Sequence, residues 1–331
     1  MMDEDVIKLR LKAALANHLQ QEFRVENLKL LTGGSAAQTW RFCLVQGTES
    51  VEYILRLAHS GVQFELGINK TIEAAVQSHA VAHGVLAPNI LLVLKPEDLL
   101  GEGFIMVLVY GETIPQKILR QDKYKLARAQ MAAQCGRLLA DIHKVPTESL
   151  TYLPEWSAEA QLKQLEIFYQ KFGENIPVFD YAFHWLGKNV PHCADRGLVH
   201  ADFRNGNLLV DETGIVSILD WELAHLGDPM EDIGWLCVNS WRFGNTEMPV
   251  GGFGSRADLY SSYREASGRE VNEVSVFFWE MLGVLKWGVI CLYQTGVHLS
   301  GEDRTVNRAA IGRRVSETEI DLLALFNDMV G

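Results

Sequence analysis

The densest group of chemically reactive side chains lies in residues 200–207, with the sequence HADFRNGN, which Asp220, Trp221 and Glu222 follow. A carboxylate in a tight loop, such as Asp202, can orient an attacking hydroxyl or accept its proton. The amide of Asn207 and the carboxylate of Asp220, which follows a predicted hairpin, offer the hard oxygen ligands that Mg²⁺ prefers alongside substrate phosphates. The spacing H-x-D-x-x-x-x-N followed by Asp is therefore typical of phosphoryl-transfer sites.

The elements that must position these residues differ between the two parts of the chain. Before residue 111, short strand-like runs predominate, and the apolar spacing of residues 71–83 predicts one helix that ends before Gly84. From about residue 113 the periodicity is mostly helical, apart from a compact β interruption over residues 197–220. The sequence thus predicts an α+β protein, with a small antiparallel-sheet lobe followed by a larger helical lobe. The strand-like runs are residues 28–31, 39–46, 52–57, 90–94 and 103–110.

Residues 198–210 (LVHADFRNGNLLV) and 218–232 (ILDWELAHLGDPMED) carry a resemblance to a known family. They resemble the catalytic segments of the aminoglycoside phosphotransferase and choline kinase family, which is related to protein kinases. The chain is most similar to the phosphotransferase-like domains that in animals are fused to acyl-CoA dehydrogenases. The resemblance extends over roughly residues 25–300. It implies a protein-kinase-like, two-lobed fold, with residues 1–111 as the nucleotide-binding lobe and residues 112–331 as the catalytic and substrate-binding lobe.

The resemblance also implies roles for residues of the central motif. Asp202 would be the catalytic base or would orient the acceptor hydroxyl, and Asn207 and Asp220 would hold Mg²⁺. Asp232 resembles the acid that steadies the catalytic loop from the following helix. Position 201 is Ala where many relatives carry Gly. The implied reaction is ATP-dependent phosphorylation of a hydroxyl group on a small molecule.

The nucleotide site is expected in the N-terminal lobe. Gly33, Gly34 and Ser35 would belong to the loop that covers the nucleotide phosphates, although this loop lacks the G-x-G-x-x-G pattern. Residues 103–111 resemble the last strand of the small lobe and the hinge, which makes Met106 and Leu108 candidates for the adenine site. The resemblance does not decide between ATP and GTP.

Arg56 stands where the family places a phosphate-binding lysine, and Glu73 where it places the helix glutamate that pairs with that cation. A guanidinium can bind phosphate through two hydrogen bonds, so we expect an active kinase. The missing lysine keeps a second hypothesis open, namely a nucleotide-binding pseudokinase or scaffold. A metal-dependent hydrolase that uses Asp202, Asp220 and Glu222 is a third, but the D-x-D-x-T strand end of aspartyl phosphatases is missing.

The acceptor itself cannot be identified from the sequence. Glu222 is expected either to contact metal or substrate or to face solvent, and residues 235–254 form either a packed helix end or a substrate wall. In the second case Trp241 and Arg242 would contact the acceptor. Arg242 beside aromatic residues suits a carboxylate, a phosphate or a coenzyme A tail. Aminoglycosides, choline-like alcohols, sugars and hydroxyacyl-CoA thioesters all remain possible, with hydroxyacyl-CoA thioesters favoured.

Composition restricts the other functions. The 331 residues include 48% hydrophobic and 22% charged residues, which excludes a disordered chain. The net charge of −12 disfavours a nucleic-acid partner and suits a cytoplasmic protein. Residues 274–293 are long and apolar enough to cross a membrane, but they contain Glu280 and Lys286, so a buried helix is expected instead. Five scattered cysteines without a C-x-x-C pair predict free thiols, and the oligomeric state stays open.

Overall fold

A five-stranded antiparallel sheet, with strand order β1-β2-β3-β5-β4, forms the N-terminal lobe in a computed structural model. The structure describes residues 3–19, 22–31, 37–58, 67–193, 195–302 and 304–329. One helix precedes the sheet and another is inserted between its third and fourth strands. The elements of this lobe are α1 (Glu4–His18), β1 (Arg24–Leu30), β2 (Ala37–Gln46), β3 (Glu49–Ala58), α2 (Lys70–Ala82), β4 (Ile90–Val93) and β5 (Gly103–Val107).

The two long central strands of this sheet separate two apolar layers. Along β2, Trp40, Phe42 and Leu44 are buried at alternate positions, as expected for a strand whose successive side chains point to opposite faces. They join one cluster with Ile7 and Leu11 of α1. A smaller cluster contains residues of β3, β5 and α2, so both helices of the lobe are fixed to the sheet by apolar burial.

The C-terminal lobe is mostly helical and is built around one long helix, α9, which packs against several of the others. Its helices are α3 (Pro115–Arg120), α4 (Lys125–His143), α5 (Ala158–Gln170), α6 (Pro177–Lys188), α7 (Met230–Cys237), α8 (Arg256–Ser267), α9 (Glu273–Ser300), α10 (Val306–Gly312) and α11 (Val315–Asp328). Two short antiparallel pairs interrupt them, β6 (Gly197–Val199) with β9 (His225–Gly227) and β7 (Leu208–Val210) with β8 (Ile215–Ile218).

Helix α9 contains the apolar segment that has the length of a membrane span. It is the one described helix that is long and apolar enough for such a span, and 78% of its most apolar window is buried inside the molecule. Glu280, near its middle, binds Arg256 at 2.6 Å and Arg242 at 3.0 Å. The charge of Glu280 is thus neutralised inside the lobe, as expected for a buried core helix.

Among the described residues, main-chain hydrogen bonds join the two lobes at two places, and a third main-chain pairing directly follows the connection between them. Glu112 pairs with Val210 through two main-chain hydrogen bonds of 2.8 and 3.0 Å. Glu112 is the first residue after the predicted boundary between the lobes. The Ile218 amide donates to the carbonyl of Leu86 at 2.8 Å. The Ile68 amide, just before α2, donates to the carbonyl of Glu222 at 2.8 Å. These contacts bring the start of α2 next to the loop that follows β8.

Candidate active site

One buried carboxylate, that of Asp232, fixes the loop that follows β6. Asp232 of α7 accepts the main-chain amides of His200 at 2.9 Å and Ala201 at 2.8 Å, and its other contact is His143 Nε2 at 3.2 Å. Ala201 has φ of +61°, in the left-handed region that glycine adopts at lower cost. Asp232 thus fixes a strained loop conformation, and the role predicted for it from sequence has a geometric basis.

His200 supports the same loop and is oriented by two hydrogen bonds. Its Nδ1 accepts the amide of Asp202 at 3.2 Å, so its Nε2 carries the proton and donates to the carbonyl of Leu219 at 3.1 Å. Burial lowers the pKa of His200 despite the opposing charges of Asp232 and Asp202. The imidazole is therefore neutral at pH 7 and links the loop to the strand end before Asp220.

Asp202 is presented at the surface of this loop by three side-chain donors. Its Oδ1 accepts Arg204 Nε and Trp235 Nε1, each at 2.9 Å, and its Oδ2 accepts Asn207 Nδ2. The side chain keeps 14% of its exposure. These bonds hold the carboxylate in one orientation, which is what a group that must align an acceptor hydroxyl requires.

Asn207 and Asp220 come together through the main chain between them. The Leu219 amide donates to the carbonyl of Asn207 at 2.9 Å. The side-chain nitrogen of Asn207 donates to Asp202, which leaves the side-chain oxygen of Asn207 as an acceptor. Asp220 has φ of +68°. An amide oxygen and a carboxylate on adjacent strand ends form a donor set that fits Mg²⁺ bridged to phosphates.

A cluster of five charged side chains joins this strand end to the N-terminal lobe. Arg56 of β3 binds Asp220 at 2.7 Å and lies 3.4 Å from Glu73 of α2. Lys70, the first residue of α2, binds Glu73 at 2.6 Å and Glu222 at 2.9 Å. Glu73 is fully buried and Lys70 nearly so. The two cations thus alternate with three carboxylates across the cleft.

Burial and charge set the protonation of this cluster. Burial raises the pKa of Glu222 to about 7. The negative charge of Asp220 also raises this pKa, whereas the positive charge of Lys70 lowers it. Burial also opposes the charge of Asp220, but Arg56 outweighs it and holds the pKa of Asp220 below its usual range. The pKa of Arg56 is raised in turn, since Asp220 and Glu73 outweigh the cost of its burial. At neutral pH Asp220 is ionised, and the cluster can accept a cation there.

On the nucleotide side, Gly33, Gly34 and Ser35 lie outside the described residues. The Met106 side chain is 8% exposed and belongs to the apolar cluster beneath α2. The Leu108 amide donates to the carbonyl of Glu52 at 3.0 Å, so this N–H is already used within the sheet. A main-chain hydrogen bond between Leu108 and adenine would therefore use the Leu108 carbonyl oxygen.

On the acceptor side the two predicted residues have different surroundings. Trp241 is 4% exposed and lies under the guanidinium of Arg204, whose Cζ is 4.5 Å from the ring centroid. Arg242 instead donates to the Cys237 carbonyl at 2.7 Å and pairs with Glu280 at 3.0 Å. These contacts close the end of α7 and neutralise a buried charge. They provide no support for Arg242 as a ligand for an acceptor anion.

Sequence reasoning assigned no role to Lys70 or Arg204, and it considered Trp235 only as part of the segment 235–254, whereas the structure places all three residues in this site. Lys70 lies three positions before Glu73, a spacing that pairs side chains on one helix face, so the pair was visible in the sequence. Arg204 lies inside the catalytic loop itself. Trp235 reaches Asp202 from 33 positions away, a contact that only folding reveals.

Comparison with known proteins agrees with this geometry. Residues 27–266 match the phosphotransferase enzyme family. The chain therefore belongs to the phosphotransferase enzyme family, as its catalytic-loop sequence predicts. It is 25% identical over 163 residues to acyl-CoA dehydrogenase family member 10 of Mus musculus, a match that covers 47% of this chain and 15% of that protein. The chain thus corresponds to a small part of that relative.

Solved structures show the same fold. A Ralstonia eutropha protein, provisionally described as an aminoglycoside phosphotransferase, superposes with a TM-score of 0.72 at 21% identity, over 97% of this chain and 98% of that chain. Spectinomycin phosphotransferase, solved with ADP and spectinomycin, superposes with a TM-score of 0.61 at 14% identity, over 98% of each chain. The predicted protein-kinase-like, two-lobed α+β fold is confirmed.

Proposed function

We propose that this protein is a small-molecule kinase that transfers the γ-phosphoryl group of ATP to a hydroxyl group in a Mg²⁺-dependent reaction. The observation that carries the proposal is the arrangement of Asp202, Asn207 and Asp220. One oriented carboxylate lies against Asn207, and two oxygen donors lie on adjacent strand ends. Membership of the phosphotransferase family and the structural likeness to an ADP-bound phosphotransferase support it.

Each residue of the site would have a separate role in the transfer. Asp202, held by Trp235 and Asn207, would align the acceptor hydroxyl and take its proton as the new oxygen–phosphorus bond forms and the bond from the γ-phosphorus to the departing ADP breaks. Arg56 would bind the nucleotide phosphates, with Glu73 behind it to hold the guanidinium in place. Asn207 and Asp220 would hold Mg²⁺, which when bound neutralises the phosphate charge.

A second candidate function is nucleotide binding without transfer, and one observation favours it. Arg56 is bound to Asp220 at 2.7 Å, so the cation expected to bind phosphate occupies an oxygen expected to bind metal. An active enzyme must exchange this contact when Mg²⁺ and ATP enter. A protein in which the pair persists would bind nucleotide weakly and independently of Mg²⁺.

Transfer of labelled γ-phosphate from ATP to a panel of acceptors separates the two functions. The panel includes an aminoglycoside, choline, a hexose and a hydroxyacyl-CoA thioester. Asp202→Asn is expected to lower kcat at least a hundredfold without changing the affinity for ATP, because its carboxylate acts only on the acceptor proton. Mg²⁺-independent nucleotide binding with no transfer to any acceptor would favour the pseudokinase.

A further inference from the structure

A buried lysine without an anionic partner lies one indole ring away from Asp202. Lys286 of α9 is 7% exposed, and its Nζ lies 4.9 Å from the centroid of the Trp235 ring. The Nε1 of the same indole donates to Asp202 at 2.9 Å. Among the described residues, Nζ makes no ion pair or hydrogen bond with a carboxylate, so the cation–π contact is its recorded partner.

An ammonium buried in this way is costly to the fold, because the loss of its hydration is not offset by an opposite charge. The carboxylate of Glu231, one turn before Trp235 on α7, accepts Gln161 at 2.6 Å and His225 at 3.1 Å and makes no ion pair with Lys286 among the described residues. An uncharged leucine or methionine at position 286 would avoid this cost of burying a charge. The charge therefore serves something other than packing.

The turn that follows α7 adds further unused polar groups to the same region. The Trp241 indole packs on Trp235, with ring centroids 5.1 Å apart, and its Nε1 is buried with no hydrogen-bond partner in the described part of the chain. The neighbouring hydroxyl of Ser240, in a residue 5% exposed, is likewise buried without a partner. Two unsatisfied groups that can donate thus lie in the turn that follows the helix of Trp235.

We propose that Lys286 binds an anionic group of the acceptor, a carboxylate or a phosphate close to the hydroxyl that is phosphorylated. This inference rests on the proposed kinase function and specifies its substrate class. Arg204 and Lys286 flank the pair of Trp241 and Trp235, and since Arg204 is already paired with Asp202 at 2.9 Å, the uncompensated positive charge of this aromatic wall is that of Lys286. Such a wall attracts a compact hydroxy acid or an alcohol phosphate and repels a polycation such as an aminoglycoside.

The test compares matched anionic and neutral probes by calorimetry, with and without Mg²⁺ and a non-hydrolysable ATP analogue. The probes are 3-hydroxypropionate with its amide, and glycerol 3-phosphate with glycerol. At least one anionic probe is expected to bind ten times more tightly than its neutral partner, and the pair with the larger ratio distinguishes carboxylate from phosphate. Equal or undetectable binding of anionic and neutral probes overturns the proposal.

Substitutions then assign any preference to Lys286. Lys286→Met should bring the anion-to-neutral ratio close to one, and Lys286→Arg should retain most of it, whereas a purely structural lysine would affect both probes alike. Lys123→Met is the matched control, because Lys123 also lies over an aromatic ring, Tyr124 at 4.7 Å, but at the surface. An unchanged ratio in Lys286→Met refutes the assignment.

The outcome for the kinase proposal is read separately. If the unmodified chain does not bind nucleotide, that result counts against the kinase function alone, since the probe series without nucleotide still reports on Lys286. If Lys286→Met does not fold, the ratio in Lys286→Arg and in the unmodified chain decides. A neutral or cationic acceptor that the unmodified chain prefers in the labelled-phosphate assay also overturns the proposal.

Discussion

Replacing Asp220 with asparagine separates the role of its charge in binding from its role in the fold. The substitution keeps the shape of the side chain and one oxygen, but it removes the negative charge that faces Arg56 at 2.7 Å. A carboxylate binds Mg²⁺ far better than an amide does, so the Mg²⁺-dependent part of ATP binding should disappear. The folded chain itself should persist.

The expected magnitudes follow from the contacts. Arg56 keeps Glu73 at 3.4 Å and Glu222 at 3.9 Å, and the Asn oxygen can still accept a hydrogen bond from it. We therefore expect the free protein to lose only about 1–2 kcal/mol of its free energy of unfolding. Mg-ATP at a hundred times its Kd stabilises a native protein by about 2.7 kcal/mol, which is roughly 5 °C in Tm for a chain of this size.

Thermal unfolding of both proteins with ATP, with ATP and Mg²⁺, and without ligand measures these quantities. The control is Asp211→Asn, the same change in the adjacent hairpin, where Asp211 Oδ1 accepts the amides of Thr213 at 2.7 Å and Gly214 at 3.0 Å. That control should retain the full Mg²⁺-dependent shift. An undiminished shift in Asp220→Asn would refute the metal-binding role of Asp220.

Two further predictions concern buried charges. Lys70→Met should lower the free energy of unfolding by about 3–5 kcal/mol, because it leaves Glu73 buried without its main partner, whereas Lys117→Met, which breaks an exposed pair, should cost under about 1 kcal/mol. Urea unfolding compares the two, and similar losses would contradict the importance of burial. Burial opposes the charge of His225, but Glu231 outweighs it and raises the pKa of His225 above the ordinary 6.5. The stability that His225 contributes is therefore full below pH 6.5 and is lost as pH rises through the raised pKa. The difference in unfolding free energy between the unmodified chain and His225→Gln should shrink over that range, and a constant difference would refute the ion pair.

Much of the fold was predictable because the signals are local. The strand-like runs match β2 through β5 to within a few residues, and the helix predicted over residues 71–83 is α2. Alternating burial along β2 follows from the pleat, and the end of α2 follows from Gly84. The catalytic loop was recognisable for the same reason, since Asp202 and Asn207 lie five residues apart in one segment.

Other features depend on contacts between distant segments, which no local pattern encodes. Arg242 was predicted to contact the acceptor because it lies beside aromatic residues, but the fold brings Glu280 of α9 against it, 38 positions away. Ala201 is a small change in sequence, yet its φ of +61° shows that the loop is held in a strained conformation by the carboxylate of Asp232.

The sequence by itself determined the family and the two-lobed fold, and it predicted a catalytic triplet of Asp202, Asn207 and Asp220, because those residues follow one another along a short stretch of chain. Only the tertiary structure decided which charged side chains pair with one another. It placed Lys70 between Glu73 and Glu222, and it left Lys286 buried beside Trp235 with no counter-ion in the part of the chain that the structure describes. Burial and through-space distance set the energy of a charge, and both exist only once distant segments have packed together.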